Sequence, residues 1–121
     1  MGSTLNAERS PLGWEDLNRR VLDQDGAELL HTLFPGGRVI GRKYIMTNPT
    51  IPGAPVDSFS IDIDTWVWKD EAFEGPSEER KHHCGFDPIS LYAYLRGINK
   101  FARAKRALER ALNRYLGGSH G

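Results

Sequence analysis

The 121-residue chain is 39% hydrophobic and 26% charged, the composition of a folded globular protein at the length of one domain. No run of 18 residues is apolar throughout, so a helical membrane span is excluded, and the first residues lack the basic-then-apolar order of a secretory leader. With a formal net charge of zero and a single cysteine, Cys84, that cannot form an internal disulfide, the expected compartment is a reducing cytoplasm.

The charge is unevenly distributed. Between Asp57 and Arg80 eight acids face two bases, whereas between Gly85 and Leu116 seven bases face two acids. An acidic middle and a basic C-terminal part imply two distinct surfaces in a neutral protein.

Residues 1–12 are polar, include Pro11 and are expected to form a flexible arm, and 117–121 a flexible tail; 13–116 form a single domain. Trp14, Leu17, Val21 and Leu22 recur at helical spacing. Asp25 followed by Glu28 has the form of a capping box and opens a second helix, which Pro35-Gly36-Gly37 stops. Arg38 to Met46 reads as one strand with a glycine in it, and Asn48 to Pro55, with three prolines, as a long hairpin loop. Ser58 to Asp64 alternates strictly, placing Phe59, Ile61 and Ile63 on a buried face. Trp66 to Asp70 reads as a third strand, giving a three-stranded antiparallel meander. Glu71 to His83 reads as an acidic loop. Asp87-Pro88 starts a helix that Gly97 ends, and Asn99 caps a last helix with the stripe Phe101, Ala104, Leu108, Ala111, Leu112 and Tyr115. The expected fold is α+β: a small antiparallel meander flanked by N-terminal and C-terminal helices.

No phosphate-binding loop, serine elbow or cysteine–histidine catalytic arrangement is present in the sequence, so no enzyme activity is expected. Asp62 and Asp64 form an acidic pair, read as a solvated edge rather than a metal site, as are Glu78 and Glu79. His82, His83 and Cys84 are the one metal-like cluster, but a second ligand pair is missing, so the expected cofactor is none, with zinc as the lesser alternative. Arg42, Lys43, Tyr44, Trp66, Trp68 and Lys69 interleave bases with aromatic rings, which suits single-stranded nucleic acid: bases stack while Lys and Arg track phosphates. Trp66 and Trp68 alternate and so share a face; burial of both is favoured, and exposure would make Trp68 a stacking ring. The bases of the C-terminal helices, Lys100, Arg103, Arg106 and Arg110, form a second footprint.

Three ordered segments, "GRVIGRKYI" at 37–45, "SFSIDIDTWVWKDEAF" at 58–73 and "GFDPISLYAYLRGI" at 85–98, together with the closing amphipathic helix, resemble the N-terminal zinc-ribbon-like domain of bacterial and phage DNA primases. The resemblance covers about residues 36–116 and is nearest to the phage and plasmid primase–helicase branch. It implies recognition of single-stranded template DNA, with the catalytic domain elsewhere. The alternative expectation, drawn from the acidic loop Glu71–Glu79 and the neutral total charge, is an adaptor that docks on a polymerase, helicase or primase catalytic subunit. In cellular relatives a Cys-x-x-His and a Cys-x-x-Cys hold one zinc. Here Ile45-Met46-Thr47-Asn48 stands at the first pair and only Cys84 falls near the second, so the resemblance implies a zinc-ribbon-like domain that has lost its metal.

Overall fold

The computed structural model describes residues 13–72 and 83–118, which form four helices and five strands. In chain order these are α1 (Trp14–Leu22), α2 (Gly26–Leu33), β1 (Arg38–Ile40), β2 (Lys43–Met46), β3 (Phe59–Asp62), β4 (Trp68–Asp70), β5 (Cys84–Gly85), α3 (Pro88–Arg96) and α4 (Phe101–Gly118). The fold is α+β, and the strands form one antiparallel meander in the order β1-β2-β3-β4-β5.

Local signals set the helix ends. The Asp25 carboxylate accepts from the Glu28 backbone N–H at 3.1 Å, and the Asp87 carboxylate accepts from that of Ser90 at 2.8 Å, each satisfying a donor the first turn leaves unpaired. α3 closes on Gly97. A third tie is long-range: the buried Asn18 side chain of α1 accepts from the Ile89 N–H at 3.2 Å, fixing α1 against the first turn of α3.

The sheet is more divided than the pattern suggested. The segment 38–46 is a hairpin of two strands, not one: Ile40 pairs with Lys43, and Gly41 takes φ 62° at the first central position, where a type II′ turn needs glycine. β4 begins at Trp68 rather than Trp66. Between β3 and β4 the Asp62 carboxylate accepts from the N–H groups of Asp64 (2.8 Å) and Thr65 (3.0 Å), and the chain folds back so that Trp66 N–H donates to the Asp62 carbonyl. Trp66 adopts φ 63° in this turn and still inserts its ring into the core. Trp66 and Trp68 are therefore both buried, although they do not alternate along one strand. β5 lies just past the segment expected as an acidic loop, at residues for which the pattern gives no element, and adds a fifth strand through Trp68↔Gly85 and Lys69↔Cys84. Most of the acidic loop, 73–82, and the two terminal tails, 1–12 and 119–121, lie outside the described residues, while α4 continues through Gly118, beyond the expected end at 116.

One core joins sheet and helices. Tyr44, Met46, Phe59, Ile61 and Trp68 cover one face of the sheet and meet Leu17, Val21, Leu29, Leu30, Leu91, Leu95, Leu108 and Leu112 from all four helices. Phe59, Trp68 and Tyr94 form an aromatic group with ring centroids 4.6–5.8 Å apart. Gly85 permits the closest approach: a Cβ there would lie 2.4 Å from Trp68 Nε1 and 2.6 Å from Ser90 Oγ, the two atoms that hydrogen-bond at 2.9 Å beneath β5. Several expected core positions lie outside: Trp14, Leu22 and Phe101 are exposed and Ile63 is only partly buried.

Candidate nucleic-acid interface

The sheet places the predicted contact residues on opposite faces. Across the strands run the rows Arg38–Ile45–Ser60–Lys69–Cys84 and Ile40–Lys43–Asp62 on the face away from the core. Tyr44 and Trp68 occupy the alternate positions and point inward, with 0% and 3% of their surface exposed. Neither offers a ring face across the sheet to a nucleic-acid strand: Trp68 takes the buried position favoured for it, so its expected role as a contact residue is corrected along with that of Tyr44. The Tyr44 hydroxyl instead donates to the Phe34 carbonyl and accepts from the Gly37 N–H at 3.0 Å, pinning the end of α2 to β2; burial raises its pKa above the ordinary tyrosine value.

The bases on this face are mostly neutralised. Arg42 lies 3.1 Å from Asp64 and 3.6 Å from Asp62, Lys69 3.7 Å from Glu71, and Arg38 against Asp57. Such exposed pairs contribute little stability, about 0–1 kcal/mol each, but they cancel the field a phosphate would feel. Lys43 is exposed, and among the described residues it forms no ion pair. The acidic pair is likewise occupied: although burial opposes it, the Asp62 carboxyl is held below the usual carboxylate range by the N–H groups of Thr65 and Asp64 and by Arg42.

The second footprint has a different character. Arg103, Arg106, Arg110 and Arg114 are all exposed, and their spacing of 3, 4 and 4 residues sets them in one line along α4. Ala104, Leu108, Ala111 and Leu112 occupy the opposite, buried side. At 1.5 Å per residue the line is about 16 Å long. Among the described residues none of these arginines, nor Lys100, is in an ion pair, and the one acid between 100 and 118 is Glu109. Arg114 is one of the seven bases that the sequence places between Gly85 and Leu116, and the 3.6-residue period aligns it with the other three.

Of the metal-like cluster, His82 lies outside the described residues. His83 Nδ1 is 2.9 Å from the Tyr94 hydroxyl, and Cys84 is a free, partly buried thiol. Among the described residues no group of three His, Cys, Asp or Glu side chains is arranged to hold a metal. The segment Ile45-Met46-Thr47-Asn48 and the start of β5 are instead linked by hydrogen bonds. Buried Asn48 donates to the Asp70 carboxylate at 2.9 Å, Tyr94 donates to the same oxygen at 2.7 Å, and Tyr94 in turn meets His83. Burial and the Asp70 hydrogen bond push the Tyr94 hydroxyl far above its ordinary pKa, so it remains a donor at any physiological pH. No helix among the described residues is long and apolar enough to cross a membrane. Compared with protein-family models, curated proteins and solved structures, the chain matches none of them.

Proposed function

We propose that this domain is a non-catalytic nucleic-acid-binding module that holds single-stranded DNA along α4, serving the template of a replication primase in the cytoplasm. The observation that carries the reading is the line of Arg103, Arg106, Arg110 and Arg114, exposed and unpaired by acids among the described residues. Guanidinium groups are the side chains best suited to phosphate, being always charged and forked for two hydrogen bonds. The primase assignment rests on the three ordered sequence segments. Lys43 adds a charge that is unpaired among the described residues, whereas Arg42 and Lys69 serve their carboxylate neighbours.

Fluorescence anisotropy with labelled single-stranded DNA tests this. Affinity is expected to fall steeply with salt, and the triple variant Arg103→Ala/Arg106→Ala/Arg110→Ala is expected to reduce the slope of log K against log salt by about two, since each lost phosphate contact on a single strand contributes roughly 0.7. Failure of the wild-type chain to bind at low salt rejects the reading.

A second reading is a protein-docking adaptor for a polymerase, helicase or primase catalytic subunit. It draws on Val56 and Phe86, large apolar side chains 79% and 78% exposed, and on the zero net charge. A pull-down with the replication proteins, repeated with Phe86→Ala, distinguishes it from DNA binding.

A further inference from the structure

Phe101 continues the apolar stripe of α4 but lies outside the core formed by the described residues. Ala104 and Leu108, one and two turns on, are fully buried, while Phe101 is 55% exposed. The space it borders is a cleft of about 570 Å³ between β4, β5 and the α3–α4 connection. One wall is aromatic: the edge of Trp68, held by its bond to Ser90, beside Tyr94, with ring centroids 4.6 Å apart. Asn99, with its amide, and the apolar Ile98 also line the cleft. Lys100, the residue before Phe101, is exposed and forms no ion pair among the described residues, and Arg103 begins the arginine line within the same first turn of α4.

We propose that this cleft is a base-binding subsite that takes one unstacked nucleobase from the single strand held by α4. The inference rests on the reading of α4 as a phosphate-binding helix and adds to it a site that senses the base. A flat, apolar ring with a polar edge matches the lining: Phe101 provides a half-exposed face for stacking, and the Asn99 amide both donates and accepts. The cleft volume lies within the range of small-ligand sites. Lys100 sits beside the cleft where the nucleotide's own phosphate would lie, and the strand then passes round the first turn of α4 to Arg103. The exposed cations Lys100 and Arg103, next to the cleft-lining Asn99 and Phe101 in sequence, favour an anionic strand over a neutral apolar peptide as the occupant.

The test compares an oligothymidylate with an abasic oligonucleotide of the same length and phosphate count. Wild-type protein is expected to bind the thymidylate roughly tenfold more tightly, the contribution of one stacked base, and Phe101→Ala is expected to bring the two affinities together. Phe101 is half exposed at a helix end, so the variant should fold; circular dichroism checks this. A second measurement needs no change in the cleft. In a Trp14→Phe background the remaining tryptophans are buried Trp66 and cleft-lining Trp68, so thymidylate should alter the intrinsic fluorescence and abasic DNA should not. Equal binding of both oligonucleotides by the wild type, or an unchanged preference in Phe101→Ala, overturns the subsite and leaves the α4 reading standing. Loss of binding to both at low salt overturns the two together.

Discussion

Tyr44 sits in a strand whose neighbours in sequence, Arg42 and Lys43, are exposed bases, and from that neighbourhood it reads as a nucleic-acid contact. The pleat sends it the other way. Its hydroxyl ties the Phe34 carbonyl to the Gly37 N–H, and its ring meets His31 edge-on at 4.9 Å. Tyr44→Phe leaves those backbone groups without a partner and is expected to cost about 1–3 kcal/mol in urea unfolding. DNA affinity in the same variant should not change. A stacking role would produce the reverse: weaker binding at unchanged stability. Arg42 teaches a related lesson, since its charge is committed to two carboxylates that lie 20 and 22 residues further along the chain.

At the scale of elements, α4 has to serve the core with one side and solvent with the other. Its last turns are anchored through Tyr115, whose hydroxyl donates to Glu28 of α2. That hydrogen bond to a carboxylate, with some desolvation, raises the Tyr115 pKa from 10.0 to about 12. Because the folded value is the higher one, the contribution is fully present below pH 10 and is lost as pH rises from about 10 towards 12. Stability should therefore decline over that alkaline window, and Tyr115→Phe should make the decline shallower, as read from thermal unfolding at stepped pH. The effect is modest, because the pair lies at the surface.

For the whole molecule, the question is what ties the chain after β2 to β4, α3 and the start of β5. Asn48 at the end of β2, Asp70 at the end of β4, Tyr94 on α3 and His83 before β5 form one hydrogen-bonded chain, with Asn48 and Asp70 buried. The resemblance to zinc-ribbon-like domains would place a metal between these segments; here polar side chains make the connection. Metal-dependent small domains unfold when chelated. The expectation for this chain is that excess EDTA leaves the thermal midpoint unchanged, whereas Asp70→Ala, which strands the Asn48 amide and the Tyr94 hydroxyl in the interior, lowers it sharply. A midpoint lowered by chelation would restore a role for Cys84 and its neighbouring histidines.

Much of this architecture was legible from short-range pattern. The caps at Asp25 and Asp87, the stop at Gly97, the alternation of Phe59 and Ile61, and the stripe from Ala104 to Leu112 each depend on residues within about four positions of one another, so the α+β class and the basic α4 follow from the sequence. What tertiary structure decided was exposure and pairing. Whether Tyr44 and Trp68 face the helices or the solvent depends on which face of the meander α1–α4 cover. The neutral sheet face depends on carboxylates brought beside Arg38, Arg42 and Lys69 by turns. The cleft beside Phe101 exists because α4 begins one turn before the core does, and a helical period carries no record of where the packing beneath it ends.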